Sequence, residues 1–318
     1  MYLICDWDDE VAHYNLPPHH RDEFKKICEL SGLDLLFCRR QEQWPDLDRI
    51  VAYVGNRPEP EILHSNSLRW IHFGSVGTDR ISSTEASKKG VVITNARGIF
   101  DDAVATHIVS RILNRLIPRI EVTSLSSFDR ISWETLSNKT ESCLVHVLGN
   151  GPIAQRLCAL LSCLNLRVKA YTKNPSKYDQ AYDVLPIDQE PKDHNGENIV
   201  INLLPSTEGT SNLVSEYFLS RFSSIYYYLN VGRSQTESLI GIINLMRSDR
   251  IKYAGWDVIR DKAICLTLAQ EFGQRVEFTP HIAAFSSDHW RRSFSLLLYN
   301  MKCFLEGDFK SMENRVNA

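Results

Sequence analysis

Residues 149–154 read Gly-Asn-Gly-Pro-Ile-Ala, a spacing of small residues that can cradle a diphosphate. Gly149 allows a tight turn, Gly151 lets backbone approach a pyrophosphate, and the small Ala154 lets a helix pack closely on the strand before it. The run before the turn, Leu144–Leu148, is strand-like, and the residues after it are helical. The turn therefore falls where a helix N-terminus presents unpaired N–H groups and a favourable dipole to an anion. Placed between a strand and a helix, the pattern reads as a dinucleotide-binding turn; the alternative is an ordinary strand-to-helix connection. Pro152 is pre-organised for the first helical turn, but it has no N–H, so phosphate binding is expected to be weaker rather than lost. Gly149, Gly151, Pro152 and Ile153 are the candidate phosphate-binding residues.

The end of the next strand distinguishes NAD(H) from NADP(H). A site for NAD usually places an acid there to hold the ribose hydroxyls. This chain has Tyr171-Thr172-Lys173-Asn174-Pro175-Ser176-Lys177, with no acid before Asp179. Lys173 and Lys177 can neutralise a 2′-phosphate, and Thr172, Asn174 and Ser176 can hydrogen-bond it. The expectation is NADP(H) in preference to NAD(H); the alternative is a solvated basic loop.

The elements that must position these residues are legible as alternating apolar runs and helix-like segments. The first series runs through 2–6, 34–38, 49–55, 69–74 and 91–95; the second through 143–149, 167–172, 198–205, 223–232, 251–259 and 275–280. Such alternation predicts βαβ units and parallel sheets, and 318 residues suggest two domains. Between the series, residues 101–120 repeat apolar side chains at helical spacing, with Asp101 and Asp102 suited to the N-terminus and Pro118 to the end. This helix either faces the core of one domain, or crosses to a second domain and pairs with its own copy. A terminal helix is expected over about 287–306.

Composition excludes several classes. The chain is 43% hydrophobic and 24% charged with a net charge of −3, which argues against a nucleic-acid-binding or polybasic membrane-binding protein. No run approaches a membrane span, and the start turns acidic after five residues, unlike a signal peptide. None of the eight cysteines forms a CxxC pair, so free, mostly buried thiols in a reducing cytoplasm are expected, with no metal site.

Seven ordered motifs carry a family resemblance: SVGTD (75–79), TNARGIFDDAVATH (94–107), GNGPIA (149–154), NLLPST (202–207), LNVGRS (229–234), GWDV (255–258) and TPHIAAF (279–285). Together they resemble the D-isomer-specific 2-hydroxyacid dehydrogenases, a family that includes glyoxylate/hydroxypyruvate reductases. The resemblance implies two Rossmann/flavodoxin-like α/β domains with a cleft between them. Residues 98–284 would bind the dinucleotide; residues 1–97, completed by 285–318, would bind substrate. It also implies a homodimer. Arg233 matches the family's substrate-carboxylate anchor, a role suited to a planar guanidinium fork. His281 matches the acid/base histidine, which protonates the carbonyl oxygen during reduction. Asp257 matches the residue that holds the nicotinamide carboxamide. Leu204, Pro205, Thr210, Val231 and Gly232 match cofactor-contacting positions. Val76 and Gly77 would add backbone donors to the substrate carboxylate, and Asn56 or Arg57 would line its pocket.

One departure bears on the chemistry. Five residues after that aspartate the family usually has a glutamate that supports the histidine, and here the position is Lys262. A nearby ammonium would lower the histidine pKa. Three readings stay open: Asp261 replaces the glutamate, Lys262 itself acts as acid or substrate-binding cation, or the site has lost turnover and keeps its nucleotide. Thr106 and Ser234 are smaller departures, and residues 263–274 read as a short helix. The leading expectation is an NADPH-dependent reductase of a small 2-keto acid. The rivals are a nucleotide-binding pseudoenzyme with a regulatory or interaction role, and a dehydrogenase with an altered anionic substrate.

Overall fold

The computed structural model describes residues 1–7, 16–37, 44, 46–78, 80–117, 140–175, 182–189, 197–259 and 261–316. The chain divides into two units, residues 1–99 with 286–318 and residues 100–285.

In the first unit, strands β1 (Tyr2–Cys5), β2 (Asp34–Phe37), β3 (Ile50–Gly55), β4 (Trp70–Phe73) and β5 (Val92–Thr94) form one parallel sheet in the order β2-β1-β3-β4-β5. Every residue of β3 and β4 is buried. A parallel sheet covered on both faces leaves no solvent side, so its strands read as unbroken apolar runs rather than alternating ones. Helices α1 (Pro18–Leu30) and α8 (His289–Leu305) supply Phe24, Cys28, Phe294, Leu297 and Met301 to one face of the sheet. The strand order reverses at β1, which puts this unit's crevice at the carboxyl ends of β1 and β3.

The second unit carries β6 (Cys143–Leu148), β7 (Arg167–Thr172), β8 (Asp183–Pro186), β9 (Glu197–Asn202), β10 (Ile225–Asn230), β11 (Ile251–Trp256) and β12 (Val276–Phe278). They form a parallel sheet in the order β12-β11-β10-β9-β6-β7-β8. The chain runs outward from β6 to β8 and returns on the other side at β9. The switch point therefore lies between β6 and β9, where ligands of such sheets bind.

The long helix α3 (Asp101–Leu116) belongs to this unit. Its Val104, Ala105, Ile108, Ile112 and Leu116 join Leu157, Cys158 and Leu161 of α4 (Pro152–Cys163) in one buried cluster. The apolar stripe that made the helix a candidate for pairing with a second copy thus lies in the unit's own core. The helix ends at Leu116, short of the expected residue 120; Pro118 lies outside the described residues.

The described cysteines are free, and Cys5, Cys28, Cys143, Cys158 and Cys303 are buried. Burial pushes the thiols of Cys143 and Cys158 up to about 12, so they are unreactive at neutral pH. Among the described residues, no helix is long and apolar enough to cross a membrane.

Candidate functional site

The glycine turn lies at the carboxyl end of β6. Gly149 has φ +110, a region L side chains rarely adopt. Its N–H donates to the Tyr171 carbonyl at 2.8 Å, and a Cβ there would meet the Leu203 carbonyl oxygen at 3.2 Å. Gly151 is the extended N-cap of α4, and an added Cβ would enter open space. Pro152 is the first helical residue, Ile153 is half-buried, and Ala154 is buried against the sheet. Asn150 is 3% exposed. Its Oδ1 accepts the Tyr182 hydroxyl at 3.0 Å, while its Nδ2 has no partner among the described residues. An open helix N-terminus, a positive-φ glycine and an unpaired amide donor together fit the pyrophosphate of a dinucleotide.

At the end of β7, Lys173 and Asn174 are exposed and Thr172 is half-buried. Lys173 reaches over the neighbouring turn: a Cβ added at Gly209 would lie 2.3 Å from its Nζ. Ser176 and Lys177, the other residues expected at a 2′-phosphate, lie outside the described residues. After β9, Leu204 is buried and Pro205 is exposed. The Thr210 hydroxyl donates to the Pro205 carbonyl and accepts the Thr207 N–H at 2.9 Å, so it shapes this turn from within.

Arg233 follows β10 on a tightly held loop. The Gly232 N–H reaches the Asn202 carbonyl at 2.9 Å and Asn230 Oδ1 at 3.0 Å. The Arg233 carbonyl accepts the Thr236 N–H at 3.1 Å and the Thr236 hydroxyl at 2.6 Å. Its guanidinium is half-exposed, with one nitrogen donating to the Gly232 carbonyl at 2.9 Å. Val231 and Gly232 are buried. A Cβ on Gly232 would lie 2.7 Å from the Leu204 carbonyl oxygen and 3.0 Å from the Leu203 carbonyl carbon. Backbone cannot yield as a side-chain tip can, so Gly232→Ala must displace one of the two loops beside the switch point. Overpacking of this kind costs about 1–3 kcal/mol. Thermal unfolding should show that loss, and a titration should show nicotinamide-dinucleotide binding weakened by about tenfold.

Asp257 organises the loop that carries His281. It is 3% exposed. Its Oδ1 accepts the Thr279 hydroxyl at 2.5 Å and the Ile282 N–H at 2.9 Å; its Oδ2 accepts the Ala283 N–H at 3.2 Å. The Asp257 N–H in turn donates to the Asn230 carbonyl at 3.0 Å. His281 sits between these anchors with φ +58 and its N–H on the Thr279 carbonyl. A left-handed non-glycine residue is strained and needs such bracing. His281 is exposed as a residue, yet burial of its ring by the protein around it lowers its pKa below the ordinary 6.5; Asp257 opposes that shift and Arg233 adds to it. His107, half-buried on α3, is also lowered by burial, with Asp257 opposing.

Of the two residues weighed as replacements for the missing glutamate, Asp261 accepts the Ala263 N–H on its Oδ1 at 2.9 Å, at the first residue of α7 (Ala263–Phe272), and Lys262 is the exposed residue before that helix. Among the described residues, the charged groups that act on His281 are Asp257 and Arg233, and no side chain hydrogen-bonds its ring.

In the first unit, the candidate substrate residues cluster at the carboxyl ends of β3 and β4. The Asn56 and Arg57 N–H groups donate to the Asp6 carboxyl at 2.8 Å and 2.6 Å, and the Tyr53 hydroxyl donates to it as well. Burial raises the pKa of Asp6 against the pull of these donors. Val76 and Gly77 form a loop closed by Ser75 Oγ on the Gly77 carbonyl and Asn95 Nδ2 on the Val76 carbonyl, both at 2.8 Å. Asp6 escaped the reading of the sequence, although an acid directly after the apolar run of β1 was a visible signal. Asn202 and Asn230 lie within the NLLPST and LNVGRS motifs, whereas Thr236 and Glu237, which also hold the Arg233 loop, had no such signal.

Comparison with known proteins agrees with this geometry. The glyoxylate reductase of Pyrococcus furiosus is 21% identical over 279 residues, covering 84% of this chain and 82% of that protein. The fold matches the NADPH-dependent glyoxylate/hydroxypyruvate reductase of Sinorhizobium meliloti, solved with NADP and malonate, at a TM-score of 0.76 and 17% identity over 99% of this chain and 96% of that one. It also matches the D-lactate dehydrogenase of Aquifex aeolicus, solved with NAD and lactic acid, at a TM-score of 0.75 and 18% identity over 99% of each chain. The family profile described as D-isomer specific 2-hydroxyacid dehydrogenase, NAD binding domain, matches residues 122–283. That span takes in the glycine turn and the loops of Arg233, Asp257 and His281, and on this basis the chain belongs to the D-isomer-specific 2-hydroxyacid dehydrogenase family.

Proposed function

We propose that this protein reduces a small 2-keto acid to the D-2-hydroxy acid, with NADPH preferred over NADH. The observation that carries the reading is one frame holding two reactive groups. The Arg233 loop and the His281 loop both hang on Asn230, the second through Asp257, at the strand ends beside the glycine turn. Arg233 binds the substrate carboxylate through charge-assisted hydrogen bonds and turns the carbonyl toward the histidine. His281 holds a proton on its ring and delivers it to the carbonyl oxygen. Asp257 fixes the direction of that delivery by locking the loop on both sides of the histidine. The residues at the strand ends would hold the dinucleotide, which supplies hydride when bound.

Lys173 supports the cofactor preference, because it follows β7 with no acid in the residues directly after it, and its ammonium lies over the Gly209 turn that follows β9. Lys173→Ala is expected to weaken NADPH binding by about tenfold, the value of one charge-assisted contact, and to leave NADH binding within about twofold. Equal losses for both cofactors, read by nicotinamide fluorescence, would remove Lys173 from the 2′-phosphate. The reaction itself is tested by chiral analysis of the product formed from hydroxypyruvate and NADPH. The D-hydroxy acid is expected, and an L-product or no product would overturn the proposal.

A second reading, a nucleotide-binding protein without turnover, is favoured by one observation: among the described residues no carboxylate hydrogen-bonds the His281 ring, and Asp261 Oδ1 is taken by the Ala263 N–H. Binding of NADPH by protein that reduces no keto acid would select it.

A further inference from the structure

Beneath the Arg233 loop lies a buried polar cluster that the reaction as described does not use. Glu237 is 6% exposed. One carboxyl oxygen accepts the Tyr228 hydroxyl at 2.5 Å, and the other accepts Trp256 Nε1 at 2.9 Å. Asn230 also hydrogen-bonds the carboxyl through its side chain. The groups around the carboxyl therefore act as donors, an arrangement that suits a carboxylate; a protonated acid requires one of them, the Tyr228 hydroxyl, to turn and accept.

Two routes lead from this carboxyl to the Arg233 carbonyl. In the first, Asn230 Nδ2 reaches that carbonyl at 3.4 Å while its Oδ1 accepts the Gly232 N–H. In the second, Tyr228 receives Asn202 Nδ2 at 3.3 Å, the same Nδ2 reaches Thr236 Oγ1 at 2.9 Å, and Thr236 Oγ1 donates to the Arg233 carbonyl at 2.6 Å. Trp256 ties the cluster to Asp257, the next residue in the chain and the anchor of the His281 loop.

We propose that Glu237 is a positioning residue for Arg233, whose ionised carboxylate draws Tyr228, Trp256 and Asn230 together and thereby sets the affinity of the site for a 2-keto acid. The inference rests on the proposed function, because it takes Arg233 as the carboxylate anchor. Burial raises the Glu237 carboxyl to about 7, against the pull of Tyr228, Asn230 and Trp256. The brace therefore loosens in protein at mildly acid pH and tightens above neutrality. Among the described residues, Tyr228 is the titratable group facing the carboxyl; its pKa lies well above 10 and it stays protonated throughout.

The test is calorimetric titration of wild type and Glu237→Gln, both saturated with NADPH, with oxamate, an unreactive keto-acid analogue, from about pH 5.5 to about pH 8.5, spanning the titration. Glutamine imitates the protonated acid at every pH. The variant-to-wild-type ratio of Kd should be close to one at the acid end and rise to about tenfold at the alkaline end, the loss of one charge-assisted contact. The His281 titration is common to both proteins and cancels in the ratio. Tyr228→Phe removes one donor and should shift the ratio in the same direction by a smaller factor. NADPH affinity and far-UV circular dichroism should be unchanged in both variants. A ratio independent of pH in folded, NADPH-binding protein overturns the role of Glu237 and leaves the proposed function standing. No oxamate binding by wild type at any pH overturns both.

Discussion

Arg233→Ala is expected to lower kcat/KM for 2-keto-acid reduction by about a thousandfold while leaving the Kd for NADPH within about twofold of wild type. The size follows from what the guanidinium is asked to do. A small keto acid has one permanent charge, and among the described residues Arg233 is the cation held at the end of β10 beside His281. Its removal takes away a bidentate, charge-assisted pair and also the orientation of the carbonyl toward the histidine. The cofactor should be spared, because the loop is fixed through backbone groups: the Gly232 N–H on Asn202 and Asn230, and the Arg233 carbonyl on Thr236. Alanine keeps all of these. Arg233→Lys should recover only part of the loss, since a point charge cannot reproduce the planar fork. A loss confined to KM, with kcat intact, would show that Arg233 binds substrate without orienting it.

His281→Asn is expected to lower kcat for reduction by about a hundred- to ten-thousandfold, the usual range for removing a positioned general acid. The pH dependence gives the sharper readout. Reduction consumes a proton held by the imidazole, so it needs the protonated ring. The pKa of His281 is lowered from 6.5, chiefly by burial, and the stabilising charge of Asp257 does not offset that. Reduction should therefore be fastest at acid pH and fall as pH rises through a value below 6.5. Oxidation of the hydroxy acid, which needs the neutral ring, should rise over the same interval. In His281→Asn that limb should vanish. A limb placed above 6.5 instead would mean that a carboxylate approaches the ring in the working enzyme.

The fold was legible in the sequence because buried parallel strands declare themselves. β3, β4, β6 and β10 are buried at every position and read as continuous apolar runs. The edge strand β8 is not fully buried, and Asp183-Val184-Leu185-Pro186 gave no comparable signal. Helix Leu239–Arg247 gave no signal either: it spans nine residues, too short a run for the spacing of its buried Ile242, Ile243, Leu245 and Met246 to stand out. The glycine turn could be located from spacing alone, because the positive φ at Gly149 disfavours any residue with a Cβ. The support of His281 could not. Counting residues places Lys262 where an acid was expected, but counting does not show that Asp261 turns onto the Ala263 N–H or that Asp257 binds the loop at Thr279, Ile282 and Ala283. Glu237 was equally hidden, since a lone glutamate at the start of a helix reads as surface until its burial is known.

The most direct test of the account is the rate of NADPH oxidation by wild-type protein with glyoxylate, hydroxypyruvate and pyruvate, followed by nicotinamide absorbance across a pH range centred on the ordinary histidine pKa of 6.5. The account predicts turnover with at least one of the three, rising as pH falls and absent from Arg233→Ala. Folded protein that binds NADPH and oxidises it with none of them at any pH would contradict it.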